Sequence, residues 1–374
     1  MAISRRGILA GGAALPLVAT AASAKTLAKP HVSSADLFGP KPGEARLHSN
    51  ENPYGPSPRA VRAVQEIAAK GSYYPGNAAG LLAERIAERH GLTPDHVVVG
   101  AGSMEVLCAA TSAFGADGPI LAPDLFWDAP ARFAERRGIA VERVPMRDDL
   151  HIDLAAMRRA HRADHGLVHI VNPNNPTGLE LPPEELRMFV DEKSERTVVL
   201  VDEAYLELAE RPEEASMVDL VRAGKNVVIT RTFSKIYGLA GLRVGYAIAQ
   251  PDAIRRMRGQ MTSFGGNMAG LAAALASYGD DGFLDMSRRM VIEGRRMVMN
   301  GVTAAGLTAL PSSTNFVLVK VPDADAVRDG MRARGVLIRG AFGDWTEWSR
   351  VSLGTPEDLS RYVTALPEVI AGIG

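Results

Sequence analysis

From Pro58 onward the apolar residues follow two alternating rhythms. Val61, Val64, Ile67 and Ala68 recur at the spacing of one helix face. Leu82 and Ile86 mark a second helix, with Glu84, Arg85, Glu88 and Arg89 on its wet side. Between helical segments lie short, nearly unbroken apolar runs: Val97–Val99, Ile120–Leu121, Ala140–Val144, Leu167–Val171, Thr197–Val201, Val227–Thr230 and Tyr246–Ala249. A strand that is apolar on both faces has to be covered on both faces, and the intervening helices supply the cover. The pattern predicts an α/β fold, a three-layer α/β/α arrangement on a mostly parallel sheet. After Pro251 the pattern is helical to about Ala305. A closing unit follows: strand Phe316–Val321, helix Ala324–Arg334, strands Val336–Arg339 and Arg350–Leu353, and helix Pro356–Ile370. It reads as a smaller α+β domain.

Composition narrows the function classes. The chain has 374 residues, 46% of them hydrophobic, enough for a large core and a second, smaller one. The formal net charge of -1 offers no basic face to a nucleic acid. One cysteine, Cys108, excludes an intramolecular disulfide and any multi-thiolate metal site. The eight histidines form no H-E-x-x-H pattern.

The chain begins differently. Arg5-Arg6 precede a Gly/Ala-rich apolar stretch, Ala10 to Ala22, that ends in Ala22-Ser23-Ala24. A basic start, a short apolar middle and an A-x-A ending describe a removable signal peptide, and the paired arginines resemble a twin-arginine signal. The stretch is too short for a membrane anchor. Residues 1–24 are therefore read as a signal, and the protein is expected to be periplasmic or otherwise exported.

In a parallel α/β sheet, ligands bind beyond the carboxyl ends of the strands. Gly102-Ser103-Met104 follows the first run and opens a helix, a natural anion site. Asn172 to Gly178, a rigid turn presenting amides, follows Leu167–Val171. Asp202-Glu203-Ala204-Tyr205 follows the next run; a carboxylate there needs a positive partner. Arg231 to Lys235 and Gly241 to Gly245 complete the series. Each alone has an ordinary reading as a cap or a solvated loop. Their order is what carries the argument.

With Asn50-Glu51-Asn52-Pro53-Tyr54-Gly55, Tyr74-Pro75, and Leu239 to Arg243, these motifs make residues 46 to 370 resemble the fold-type-I pyridoxal-phosphate aminotransferases, within them the histidinol-phosphate aminotransferase-like group. The resemblance implies pyridoxal 5'-phosphate as cofactor. It also implies a large cofactor-binding domain (70–265) and a small domain (266–374), the latter joined by the N-terminal segment 25–69. Lys235 matches the lysine that holds the cofactor as a Schiff base and shuttles the α-proton. Asp202 matches the carboxylate that keeps the ring nitrogen protonated. Asn175 and Tyr205 match the partners of the phenolic oxygen. Ser103, Met104, Thr232, Ser234 and Arg243 match the phosphate ligands, and a guanidinium fork suits a dianion. Tyr74 matches a tyrosine that reaches the phosphate of the neighbouring subunit, which implies a homodimer with shared sites. Trp127 stands where the family usually has a tyrosine stacked on the ring. It can stack but cannot donate the phenolic hydrogen bond, and packing between domains is its other reading. Arg350 matches the arginine for the substrate's carboxylate or phosphate, with Arg339 as a second anion candidate; a charge at a strand edge is the other reading of each.

The implied reaction is ping-pong transfer of an amino group between an amino acid or amino-alcohol phosphate and a 2-oxo acid. Decarboxylation of a phosphorylated amino acid on the same scaffold is the alternative. A cofactor-binding sensor is another; such regulators carry a DNA-binding domain for which this chain has no basic segment.

Overall fold

The computed structural model describes residues 38–209, 211–263 and 265–373. The signal expected in residues 1–24 lies outside the described residues. From Pro42 onward the chain forms one unit. Its strands are β1 (Ala45–Arg46), β2 (Val97–Gly100), β3 (Ile120–Pro123), β4 (Val141–Val144), β5 (Leu167–Val171), β6 (Val198–Asp202), β7 (Val227–Thr232) and β8 (Gly245–Ile248). The C-terminal part adds β9 (Thr308–Ala309), β10 (Phe316–Lys320), β11 (Val336–Leu337) and β12 (Trp348–Ser352).

The main sheet has the order β2-β8-β7-β6-β5-β3-β4. Every neighbouring pair is parallel except the two made by β8, which runs antiparallel between β2 and β7. β2 and β7 therefore point the same way, and the carboxyl ends of β2, β3, β5, β6 and β7 share one edge.

Alternation along the strands sends successive side chains into two different cores. Leu167 in β5, Leu200 in β6, Val228 in β7 and Ala247 in β8 pack with Val106, Leu107, Ala110 and Phe114 of the helix Ser103–Gly115. Their neighbours Val168, Val199, Val201, Ile229 and Ile248 join the other core, with Leu186 and Phe189 of the helix Pro183–Ser194 and with Phe316, Val317 and Val319 of β10. This two-sided burial explains the unbroken apolar runs.

The first described strand meets the C-terminal part. β1 pairs in parallel with β11, placing Ala45 opposite Val336. β10 lies between β12 and β9, antiparallel to each. The expected strand Val336–Arg339 is shorter than the pattern suggested, because Arg339 leaves the β1–β11 pair and bridges to Arg350 instead. The helix Pro58–Ala68 starts where expected: Ser57 Oγ accepts from the amide of Ala60, and Pro58 occupies the first turn.

Candidate active site

The shared edge opens into a cavity of about 880 Å³. Among its lining residues are Ser103, Met104, Trp127, Asn175, Asp202, Tyr205, Thr232, Ser234, Lys235, Arg243, Arg339 and Arg350. Of the residues given a catalytic or ligand-binding role from the sequence, Tyr74 alone is not among the lining residues; it is 81% exposed on the protein's surface.

One end of the cavity is built for an anion. Gly102 turns the chain from β2 into the helix Ser103–Gly115 at φ 79°, and no side chain caps the helix start. A Cβ on Gly102 would sit 2.2 Å from an amine of Arg243, and one on Gly245 would sit 2.2 Å from the amide nitrogen of Ser103. The two glycines therefore let the guanidinium and β8 close in on the uncapped amides. Arg243 adopts the left-handed φ of 51°, unusual for a side chain of its size. Its Nη1 donates to Ala240 O at 2.9 Å and lies 3.4 Å from Ser234 Oγ. Thr232 Oγ1 donates to Ser234 Oγ at 2.9 Å. Helix amides, two hydroxyls and a guanidinium form a donor set for a phosphate dianion.

At the end of β6 the Asp202 carboxylate is buried, with Thr230 Oγ1 donating to it at 2.9 Å. Burial pushes its pKa up to about 6, opposed by the Thr230 hydrogen bond and by the charge of Lys235. Its neighbour Glu203 points the other way, into a buried ion pair with Arg231 at 2.8 Å. Ser216 Oγ and the amide of Met217 also donate to Glu203. That network ties β6 to β7 and so fixes the spacing between Asp202 and Lys235.

Lys235 is half-buried, and its Nζ donates to Asn50 O at 3.2 Å. Tyr205 Oη accepts from Asn50 Nδ2 at 2.9 Å and from Asn175 Nδ2 at 3.4 Å. Trp127 lines the cavity while 46% exposed, at the end of the loop that follows β3. The neighbouring Phe126 is buried instead, edge-on to His169 with ring centroids 5.2 Å apart. Desolvation pushes the His169 pKa down to about 3, so the ring is neutral.

Arg350, in β12, closes the other side. It is 5% exposed. Nη1 donates to Asn175 Oδ1 at 2.6 Å and Nη2 to His48 O at 3.0 Å, while Nε has no partner. The guanidinium lies over the rings of Phe316 and Phe342, 5.1 and 5.4 Å from their centroids. Among the described residues no carboxylate pairs with it. Desolvation lowers its pKa to about 10, which leaves it charged at neutral pH. A buried, unpaired cation facing a cavity is poised for a ligand's anion. Arg339 is exposed at the same rim, its guanidinium 5.5 Å from the Phe342 centroid.

Asn50, which lines the cavity, and Ser352, hydrogen-bonded behind it, are among the residues that had no role assigned from sequence. Asn50 was visible in the Asn50-Glu51-Asn52-Pro53 motif, but nothing in that motif says which atoms it touches. Ser352 carried no signal beyond its place two residues after Arg350.

The donors fit pyridoxal phosphate group by group: Lys235 for the aldehyde, Asp202 for the ring nitrogen, Asn175 and Tyr205 for the phenolic oxygen, and the Gly102 cradle with its hydroxyls and Arg243 for the phosphate. Fold and donor set together define a fold-type-I pyridoxal-phosphate enzyme. The family model for aminotransferase class I and II matches residues 44–366, and the chain belongs to that family. It is 35% identical over 360 residues to a histidinol-phosphate aminotransferase of Anaeromyxobacter sp. (strain Fw109-5), covering 92% of this chain and 99% of that protein. It is 38% identical over 332 residues to histidinol-phosphate aminotransferase 1 of Thiobacillus denitrificans, covering 87% and 85%. The crystal structure of histidinol-phosphate aminotransferase from Sinorhizobium meliloti, in complex with pyridoxal-5'-phosphate, superposes with a TM-score of 0.82 at 27% identity, covering 93% of this chain and 100% of that one. The protein is a pyridoxal-phosphate-dependent aminotransferase of histidinol-phosphate aminotransferase-like type.

Proposed function

We propose that this aminotransferase takes its amino group from a small amine bearing an acidic group, which Arg350 seats, and that it works outside the cytoplasm as a homodimer. The buried, unpaired guanidinium of Arg350 carries the substrate reading. Bound pyridoxal phosphate supplies an electron sink for the substrate's α-carbon. The chain's residues do the rest. Asp202 offers a buried negative charge to the ring nitrogen. Asn175 and Tyr205 orient the ring through its phenolic oxygen. Lys235 Nζ, held by Asn50 O, is the amine that can accept a proton and return it. The Phe316 and Phe342 faces keep water from Arg350, which strengthens its grip on an anion.

The cofactor's absorbance tests this directly. Acidic amines, from amino acids to histidinol phosphate, are expected to convert the cofactor to its amine form. Arg350→Lys, which loses the fork, is expected to lower kcat/KM for them about a hundredfold, the value of a lost charge-assisted pair of hydrogen bonds. Conversion of uncharged amines at equal rates, or an Arg350→Lys variant within about threefold of wild type, would remove Arg350 from substrate binding.

Arg5-Arg6 ahead of the apolar stretch, and Ala22-Ser23-Ala24 after it, support export by the twin-arginine route, and the family match leaves this leader outside. The route suits the cofactor. A pyridoxal phosphate site is assembled from distant strands and exists only after folding, so a carrier of folded proteins allows loading first. Arg5→Lys combined with Arg6→Lys is expected to trap cofactor-loaded protein in the cytoplasm with residues 1–24 attached. Full-length wild type found in the cytoplasm would end the export reading and favour histidinol phosphate, a cytoplasmic intermediate, as substrate.

The dimer reading rests on Tyr74, exposed on its own protomer and matched to a residue that completes the partner's phosphate site. Sedimentation at assay concentration is expected to give a dimer, with Tyr74→Phe weakening cofactor affinity. An active monomer would contradict it.

A further inference from the structure

Two side chains of β12 feed hydrogen bonds into the same phenol from opposite sides. Arg350 and Ser352 are two apart on one strand, so they project from the same face. Arg350 Nη1 donates to Asn175 Oδ1 at 2.6 Å, and a guanidinium can only donate. Asn175 must therefore turn its amine toward Tyr205. On the other branch, Ser352 Oγ donates to Asn50 Oδ1 at 2.7 Å while accepting from the amide of Asn50 at 2.8 Å. That exchange uses the serine's proton and aims Asn50 Nδ2 at Tyr205 Oη, 2.9 Å away. Tyr205 then accepts twice, which fills both lone pairs of its oxygen. Its own proton has one direction left, into the cavity.

The two branches differ in what happens when substrate arrives. The Arg350 branch is the one that an incoming anion competes for. The Ser352 branch makes no hydrogen bond with Arg350, so an anion at that guanidinium does not compete for it. The same Asn50 also receives Lys235 Nζ on its carbonyl at 3.2 Å, and Asn315 Nδ2 on that oxygen at 3.0 Å. Asn50 is buried, and its left-handed φ of 54° turns carbonyl and side chain toward two different active-site groups.

We propose that Asn50, locked by Ser352, is a positioning residue of the transamination: it holds Tyr205 as a hydrogen-bond donor toward the cofactor's phenolic oxygen and seats the amine of Lys235, whether or not an anion occupies Arg350. The proposal needs no substrate identity, so it stands or falls apart from the substrate reading above.

The test is a pH titration of the bound cofactor's long-wavelength absorbance in the holoenzyme, without substrate. Losing Tyr205's donation leaves the phenolic oxygen more negative and the adjoining nitrogen harder to deprotonate. Asn50→Asp, which offers Tyr205 an acceptor, and Ser352→Ala, which frees the Asn50 amide, are each expected to raise the absorbance midpoint by about one pH unit, the order expected for one hydrogen bond to a charged group. Both should lower kcat more than they raise KM. Ser352→Thr keeps the hydroxyl and is expected to restore the wild-type midpoint. Aspartate tolerates the left-handed backbone, and Ser352→Ala alters no backbone requirement, so both variants should bind cofactor. An unshifted midpoint in both variants would overturn the proposal. So would an Asn50→Asp variant with wild-type titration, since that would make Asn50 the acceptor and Tyr205 its donor.

Discussion

Lys235→Ala is expected to cut turnover by about ten-thousandfold or more while leaving the fold in place. The variant loses the nucleophile toward the aldehyde and the carrier of the α-proton together, and general acid–base catalysis alone accounts for about 10²–10⁴. The fold should survive because the side chain is half-buried and its Nζ makes one hydrogen bond, to Asn50 O. The stability change should stay within about 1 kcal/mol. Borohydride treatment of wild type, followed by peptide mapping, should place the reduced cofactor on Lys235. A different labelled lysine, or more than about a hundredth of wild-type turnover in the alanine variant, would refute the assignment.

Asp202→Asn should separate stability from function. In the cofactor-free protein, burial holds this carboxyl at about 6, above its ordinary 3.8. The native state thus binds more protons than the unfolded chain between those values, and stability falls as pH rises through the window. At pH 7 the ionised group costs about 3 kcal/mol by this reckoning, two pH units of differential protonation. The amide removes that cost while keeping the size and the Thr230 contact. Stripped of cofactor, Asp202→Asn is expected to melt several degrees above wild type at pH 7.5, with the difference vanishing below pH 4. Turnover should nevertheless fall about a thousandfold, because the ring nitrogen loses the charge that keeps it protonated. Equal melting temperatures at pH 7.5 would mean the carboxylate already has a counter-charge. Near-normal turnover would take Asp202 out of the mechanism.

Much of this was legible along the chain because continuous apolar runs and helical spacing report two-sided burial directly. The seven strands of the main sheet fall where the runs were read, with ends displaced by a residue or two. β8 was placed, but its antiparallel direction was not: Tyr246–Ala249 is as apolar as its parallel neighbours, and direction depends on the connection from β7, which carries no crossover α-helix. β1 and β9 escaped notice because two residues show no period. In the site, charged and nucleophilic residues after strands stood out, so Asp202, Lys235, Arg243 and Arg350 were readable. The hydrogen-bond hub was not. Asn50 acts through contacts with Ser352, 302 positions away, and separations of that kind leave no local trace.

Those long separations set an order of events during synthesis. The segment around Ala45 to Asn50 leaves the ribosome well before its partners Val336, Arg350 and Ser352, which lie about 300 positions further along the chain. The nascent main sheet can form long before the lysine's seat and the tyrosine's second amide exist. Closing a loop of this size carries a substantial entropic cost and belongs to slow, high-contact-order assembly. Catalytic competence should therefore lag behind collapse of the sheet. A chain truncated before β12 should retain much of its strand structure but leave the first described strand without a complete place to dock.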